Sequence, residues 1–529
     1  MSVIQNPVLK GFNPDPSIIR VGEDYFIATS TFEWFPGVQI HHSRDLIHWE
    51  LIAQPLNRLS QLDMKGVPDS CGVWAPCLSF DNGIFYLVYS NVKSFDGVWK
   101  DTPNYLVTAN DIRGPWSDPV RLGASGFDGS LFHNIDGKKW YLSMLVDHRK
   151  GKFFGGIIMQ EYDPAQMRLT GPAYPIFDGT ELGKTEGPHL YNKDGYYYLI
   201  TAEGGTEYGH AVSFARSRSI YGPYELHPTN PILCASAHPD HPLQKTGHAD
   251  MVETAAGDWW IVFLTGRPLS PLGRCTLGRE TAIEQIVWRD DWPYLSTDRK
   301  LARQSIALDG TFANSASPTT HRWEFDSPDV DINYQSLRIP ITEDWLSLSA
   351  RKGFLRLSGR ESLSSLHEQS HIARRVQAFS IQYTAAVEFR PDNFQQMCGL
   401  TAYYNTAHYF YLHLFGERSH TYLNVIRCDN YETDEILEAA VDLGQPERVY
   451  LRLVWQRSEL SFWYSLDEER WNQIGPVVDA SILSDDYVRD GSERYRPAFT
   501  GSFVGLACQD LSGMQQYADF AWVEYLEKD

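Results

Sequence analysis

The sequence predicts an all-β protein: a five-bladed β-propeller followed by a β-sandwich. A short element recurs five times in the first 280 residues, led in turn by Asp15, Trp74, Asp128, Glu186 and His248. A turn glycine and an aromatic-rich strand follow each leading residue. The repeat recurs every 54 to 62 residues, which is typical of propeller blades made of four strands each.

The propeller is expected to span residues 1–295. Because equivalent residues of a cyclic repeat face the same axis, the five leading residues are predicted to meet at one end of a central channel. From Ser296 to about Thr320 the sequence loses its aromatic hairpins and becomes rich in Ser, Ala, Thr and Asp, which predicts an inter-domain tether over 296–320. Residues 321–529 regain strand patterning without the 60-residue repeat. They are predicted to form a sandwich of jelly-roll, lectin-like type.

Composition excludes several classes of partner. The net charge of −21 and a pI near 5.2 argue against nucleic acid or an anionic membrane as partner. Seven scattered cysteines without a Cys-x-x-Cys spacing indicate thiols in a reducing compartment rather than disulfides or a zinc site. The first residues lack the basic and apolar regions of a secretion signal. These features predict a cytoplasmic protein.

Three of the five leading residues are carboxylates, namely Asp15, Asp128 and Glu186. Glycoside hydrolysis needs two carboxyls in different protonation states, and like charges held close raise the pKa of one of them. A structural role for each acid at a strand start is the alternative, but it would favour the same residue type in all five blades. Trp74 is either a substrate contact or a core residue. His248 is expected to touch substrate, hold water or bind a cation.

Several motifs resemble those of glycoside hydrolase family 43, and specifically its two-domain β-xylosidases. They are Gly11-Phe-Asn-Pro-Asp-Pro-Ser17, Ser30-Thr-Phe-Glu-Trp-Phe-Pro-Gly37, Val73-Trp-Ala-Pro76, Gly126-Phe-Asp-Gly-Ser-Leu-Phe132, Thr185-Glu-Gly-Pro-His-Leu190 and Gly278-Arg-Glu-Thr281. The resemblance covers essentially the whole chain. It implies an inverting exo-glycosidase that releases D-xylose from short β-1,4-xylo-oligosaccharides and acts as a homodimer or homotetramer.

The resemblance also implies roles for individual residues. Asp15 is expected to be the general base, Glu186 the general acid and Asp128 the carboxylate that tunes the acid. The glycone pocket is expected to be lined by Phe32, Trp74, Thr206, His248 and Arg279, and to be closed by Phe503 or Phe499 of the second domain. Inversion requires room for a water molecule, so the carboxyls of Asp15 and Glu186 are predicted to lie roughly 6.5 to 9.5 Å apart.

Two positions depart from the family pattern. Val146 stands where many relatives have an aromatic residue, which predicts weaker stacking of the leaving group. Asp250 follows the channel histidine, and a surface or hydrogen-bonded role is favoured there over a cation site. No cofactor is expected, with a structural divalent cation near His248 as the alternative.

Three other functions remain open from the sequence. An α-L-arabinofuranosidase, or an enzyme with both activities, would use a similar hydroxyl pattern in the same pocket. A non-catalytic sugar-binding propeller would bind without turnover. A retaining fructan-cleaving propeller fits the fold alone, but the positions of the acids and the surrounding motifs do not suggest it.

Overall fold

A computed structural model describes residues 2–149, 153–297, 299–308, 319–490 and 497–528. The chain divides into two compact units. The first comprises residues 1–272 and 279–314, and the second comprises residues 273–278 and 315–529. The predicted all-β class is confirmed.

The first unit is the predicted five-bladed propeller. Each blade is an antiparallel sheet of four strands. Blade one contains Ser17–Val21, Asp24–Thr29, Gln39–Ser43 and Glu50–Ala53, and blade two contains Gly72–Asp81, Ile84–Val92, Asn104–Ala109 and Val120–Gly123. Blade three contains Ser130–His133, Lys139–Val146, Phe154–Asp163 and Arg168–Phe177, and blade four contains Glu186–Lys193, Tyr196–Glu203, Ala211–Ser217 and Glu225–Leu226. Blade five contains Gln244–Glu253, Trp259–Gly266, Arg279–Arg289 and Trp292–Leu295. A two-residue strand, Trp34–Phe35, lies between the second and third strands of blade one.

The first strand of every blade contacts the first strands of both neighbouring blades, and this closes the ring around the axis. Aromatic and β-branched residues fill the space between blades. Val212, Phe214, Ile261 and Phe263, for example, are buried in one cluster that joins blades four and five. The packing fixes the five inner strands in one orientation, so that their starts share one end of the channel.

Part of the predicted tether is a strand. Ser305–Leu308 is a strand of the first unit and pairs in antiparallel register with Ser2–Gln5. Four ladder positions therefore join the two ends of this unit, which the loss of aromatic hairpins from the sequence did not reveal. Residues 309–318 of the predicted tether lie outside the described residues.

The second unit is a β-sandwich of the predicted lectin-like type. One eight-stranded sheet contains Thr320–Trp323, Leu346–Ser347, Leu355–Ser358, Ser380–Phe389, Val449–Gln456, Glu459–Ser465, Asn472–Asp479 and Tyr517–Glu527. The facing sheet contains Gln335–Leu337, Ser370–Arg375, Gln396–Asn405, His408–Glu417, His420–Asp429, Glu432–Glu435, Val441–Asp442 and Phe503–Asp510. A 3₁₀ turn, Ala480–Ile482, precedes one short helix, Asp485–Asp490.

Alternating burial explains why these segments form sheets. Along Val449–Gln456 every second side chain is buried, and the buried positions are all apolar, as the period-two pattern of a strand predicts. Leu451, Leu453 and Trp455 join one apolar cluster that also holds Leu400 of the facing sheet. The sandwich therefore has its own core.

In the part of the chain that the structure describes, no helix has the length and apolar composition needed to cross a membrane.

Candidate active site

The leading residues of the five blades lie where regular strand geometry is interrupted. Asp15, Asp128 and His248 have left-handed backbones, with φ of 54°, 55° and 41°. The strand pairings of Trp74, Glu186 and the Gly247–Ala249 segment contain register shifts. Left-handed backbone is uncommon for residues with a Cβ, and bulges re-aim side chains. Such interruptions cluster at functional sites.

His248 bridges two of the acids across the ring. Its Nδ1 lies 3.9 Å from Asp15 Oδ1 and 3.9 Å from Asp128 Oδ2. Burial lowers the pKa of His248 to about 4, so its imidazole is neutral near pH 7 and does not balance the charge of the two carboxylates. Gly187, next to Glu186, packs against this imidazole: a Cβ there would lie 3.0 Å from His248 Cε1.

Arg279 supplies positive charge to the same site. Its Nη1 donates to Asp15 Oδ1 at 3.4 Å and to Thr206 Oγ1 at 2.8 Å. Asp15 also accepts a hydrogen bond of 2.6 Å from the hydroxyl of Ser30. These donors hold the Asp15 carboxylate in place and leave it facing the other two acids.

The remaining two carboxyls have raised pKa values. Burial and the nearby charge of Asp15 raise the pKa of Asp128 well above its ordinary value, although the Gly187 amide donates to that carboxyl. Burial, followed by the charges of Asp128, Asp15 and Glu207, raises the pKa of Glu186 well above its ordinary value. A carboxyl with a raised pKa keeps its proton at a pH where an ordinary carboxyl loses it.

Aromatic rings form one wall beside the acids. The Phe32 ring lies 6.1 Å from that of Trp74, and Trp74 lies 5.1 Å from Phe127 and 4.9 Å from Phe95. The Arg279 guanidinium lies 5.6 Å above the Phe32 ring. Flat apolar faces beside a few directional polar groups are the usual features of a small-ligand pocket.

The structure thus brings together most of the residues expected at the site. Eight of them share the contacts and electrostatic interactions described above: Asp15, Phe32, Trp74, Asp128, Glu186, Thr206, His248 and Arg279. Phe503 and Phe499 are buried residues of the second unit. Their expected role in closing the pocket stays a prediction.

Sequence reasoning assigned no role to Ser30 and did not identify His210. Burial lowers the pKa of His210 to about 3, and its ring packs against Gly247, where a Cβ would lie 2.0 Å from His210 Cδ2. Ser30 belongs to a quoted motif, but its contact with Asp15 depends on the fold. His210 lies at the end of the blade-four loop that carries Thr206. Its position in the same loop as Thr206 was the sequence signal that could have identified it as a site residue.

Asp250 is a hydrogen-bonded residue, as favoured from the sequence. Its carboxylate accepts from the Ser17 hydroxyl and the Ile18 amide, both at 2.9 Å, from the Met251 amide at 2.8 Å, and from the Tyr191 hydroxyl. These donors come from three blades. Asp250 therefore ties inner strands together around the axis.

Asp15 and Asp128 are buried and Glu186 is half-buried, and the three carboxyls share one end of the channel beside an aromatic wall. With two raised pKa values among them, they define a site suited to general acid and base hydrolysis of a glycoside. The model of the glycosyl hydrolases of family 43 matches residues 4–293, and that of the β-xylosidase C-terminal concanavalin A-like domain matches residues 322–526. The chain belongs to family 43 and is a glycoside hydrolase.

Individual relatives agree with this assignment. A β-xylosidase of Bacillus subtilis (strain 168) is 48% identical over 99% of this chain and 100% of its own length. A xylosidase/arabinosidase 43B of Humicola insolens is also 48% identical, over 99% of this chain and 98% of its own. The crystal structure of a xylan β-1,4-xylosidase from Bacillus halodurans C-125 superposes with a TM-score of 0.94 at 47% identity, covering 99% and 100% of the two chains.

Proposed function

We propose that this protein is an inverting exo-β-xylosidase that releases D-xylose from the non-reducing ends of short β-1,4-xylo-oligosaccharides. The observation that carries the proposal is the convergence of Asp15, Asp128 and Glu186 in a chain with full-length β-xylosidase relatives. Both the carboxyl chemistry and the relatives' names support a glycosidic bond between xylose units as the substrate.

In the proposed mechanism, Glu186 enters the reaction protonated and gives its proton to the leaving oxygen. Asp15 takes a proton from a water molecule on the opposite face of the sugar, and the water oxygen bonds to the anomeric carbon as the glycosidic bond breaks. Asp128 keeps the pKa of Glu186 high through its nearby charge. One displacement converts a β-linkage into α-D-xylose.

The glycone is expected to occupy the space between the aromatic wall and the polar residues. Phe32 and Trp74 supply apolar faces, while Arg279, Thr206 and His248 supply directional contacts for hydroxyls. Phe503 is expected to close the pocket. A blind pocket that admits one terminal sugar explains exo action.

The direct test is turnover of xylobiose and xylotriose by the full chain, with xylose measured over time. Stepwise release of single xylose units supports the proposal. Binding of xylobiose without any hydrolysis would identify a sugar-binding propeller instead.

A second candidate is a bifunctional enzyme, favoured by the relative named xylosidase/arabinosidase. Comparing kcat/KM on 4-nitrophenyl β-D-xylopyranoside and 4-nitrophenyl α-L-arabinofuranoside separates the two. A preference for the xyloside supports the main proposal, and comparable values support the bifunctional one.

We place the activity in the cytoplasm on short oligosaccharides. All seven cysteines are thiols and six of them are buried, which fits a reducing compartment. The family resemblance further implies a homodimer or homotetramer, which sedimentation of the purified protein would measure.

A further inference from the structure

Loops of blades two and three lie at the same end of the propeller as the candidate active site. Each inner strand starts at the site and runs away from it, and the second strand returns. The loop that joins the second and third strands of a blade is therefore at the site end. In blade two this loop spans residues 93–103, and in blade three it lies between Val146 and Phe154.

One exposed aromatic pair joins these two loops. The ring of Trp99 in blade two lies 4.5 Å from that of His148 in blade three, with an angle of 47° between the planes. The Trp99 side chain is nevertheless 67% exposed, and His148 is exposed as well. A single exposed aromatic residue is ordinary. Two rings from different blades in contact at the rim form a broader apolar surface.

Hydrogen bonds hold both loops in shape. The blade-two loop is closed by the Lys93 amide donating to the Asp101 carbonyl at 2.8 Å. In blade three the Asp147 amide donates to the Phe153 carbonyl at 3.0 Å, and the Arg149 guanidinium binds Asp147 through two hydrogen bonds of 2.8 and 3.0 Å. Described residues close to both rings are therefore held by hydrogen bonds within their own loops.

A continuous row of rings connects these loops with the pocket wall. Trp74 lies 4.9 Å from Phe95, which belongs to the same loop as Trp99. Phe95 lies 5.6 Å from Phe153, at the end of the loop that carries His148. Phe127 contacts both Trp74 and Phe153, at 5.1 and 6.0 Å. The exposed pair therefore stands on the same two loops as rings that contact the pocket wall.

We propose that Trp99 and His148 form a stacking platform for xylose units of the leaving chain beyond the first leaving sugar. This inference rests on the proposed function. A pyranose has an apolar face of C–H groups that packs on an aromatic ring, and hydroxyls at its edge that stay in water. The platform would favour xylotriose and longer chains over xylobiose.

The test compares wild type with Trp99→Ala on substrates of increasing length. We expect kcat/KM to fall about fivefold on xylotriose and xylotetraose, the loss expected for one aromatic stacking contact. On xylobiose and 4-nitrophenyl β-D-xylopyranoside the change should stay within twofold. Tyr221→Ala is the matched control: Tyr221 is 48% exposed in a loop between the third and fourth strands of blade four, at the opposite end of the propeller.

A binding measurement separates this inference from the proposed activity. Calorimetric titration with xylotetraose is made on Glu186→Gln and on the double variant Glu186→Gln, Trp99→Ala. A dissociation constant about fivefold weaker in the double variant supports the platform. Equal affinities, or an equal kinetic loss on xylobiose and xylotetraose, would overturn it. If the proposed function itself is wrong, the wild-type protein will hydrolyse none of the xylosides.

Discussion

Asp250 and the group of Asp15, Asp128 and Glu186 lie on the inner strands or directly before them, and their surroundings differ. Asp250 accepts hydrogen bonds from Ser17, Ile18, Tyr191 and Met251. Its carboxylate therefore holds blades one, four and five together. Asp15, Asp128 and Glu186 instead face one another where the inner strands of blades one, three and four begin. The pKa values of Asp128 and Glu186 are raised because burial disfavours their charged forms and the charges of neighbouring carboxylates add to this effect.

Within one ring of strands, the surroundings of Asp250 suit a stabilising role, and those of Asp15, Asp128 and Glu186 suit a chemical one. A carboxylate that satisfies several buried donors stabilises the fold. Carboxyls whose folded-state pKa values are raised weaken the fold once pH exceeds their ordinary pKa, since folding then requires proton uptake or an unfavourable charge. We therefore expect substitution of Asp250 to reduce stability, and substitution within the group of Asp15, Asp128 and Glu186 to reduce activity.

The largest effect is expected from Glu186→Ala. Loss of the proton donor should lower kcat on xylobiose about 10³-fold, because the sugar leaving group needs protonation. Loss on a 2,4-dinitrophenyl xyloside should be far smaller, since that leaving group departs without a proton. Kinetics on both substrates check this, with urea unfolding as the test of an intact fold. Equal impairment on the two substrates would remove Glu186 as the acid.

The next largest effect is expected from Asp250→Ala. The Ser17 and Tyr191 hydroxyls and the buried Ile18 amide would lose this acceptor, and the Met251 amide would keep only the Tyr191 hydroxyl. The free energy of unfolding should therefore fall by about 3 kcal/mol. Urea denaturation measures this, with the exposed Asp240→Ala as control. A change below about 0.5 kcal/mol would show that Asp250 does not hold the blades together.

A smaller, pH-dependent effect is expected from Asp128→Asn. The negative charge of Asp128 raises the pKa of Glu186, so removing that charge should lower it. Because Glu186 acts in its protonated form, activity is lost as pH rises through its pKa. The alkaline limb of the kcat/KM profile should therefore move to lower pH. A limb that stays in place, or moves to higher pH, would show that Asp128 does not tune the acid.

The sequence predicted the propeller and the convergence of its leading residues because both follow from a repeat. Equal spacing of Asp128, Glu186 and their turn glycines is a local pattern, and cyclic closure places equivalent positions together. The sandwich was likewise readable from alternation within segments such as Val449–Gln456.

The missed features depend on contacts between distant residues. A hydrogen-bonded role was favoured for Asp250, but its partners were missed: Ser17 lies 233 positions away, and no periodicity in the sequence pairs the two. The strand Ser305–Leu308 is only four residues long, too short to show a repeat of its own, and it pairs with Ser2–Gln5 from the far end of the unit. His210 acquires its environment from Gly247 of another blade. Such partners are set by packing of the folded ring.

The most direct test of the central claim is the anomer that the enzyme first releases from xylobiose, followed by proton NMR before mutarotation. If Glu186 donates a proton while Asp15 activates water across the sugar, α-D-xylose is formed first and the β-anomer appears only as the product equilibrates. Initial formation of β-D-xylose would contradict the account, since it requires a covalent intermediate and two carboxyls about 5 to 5.5 Å apart.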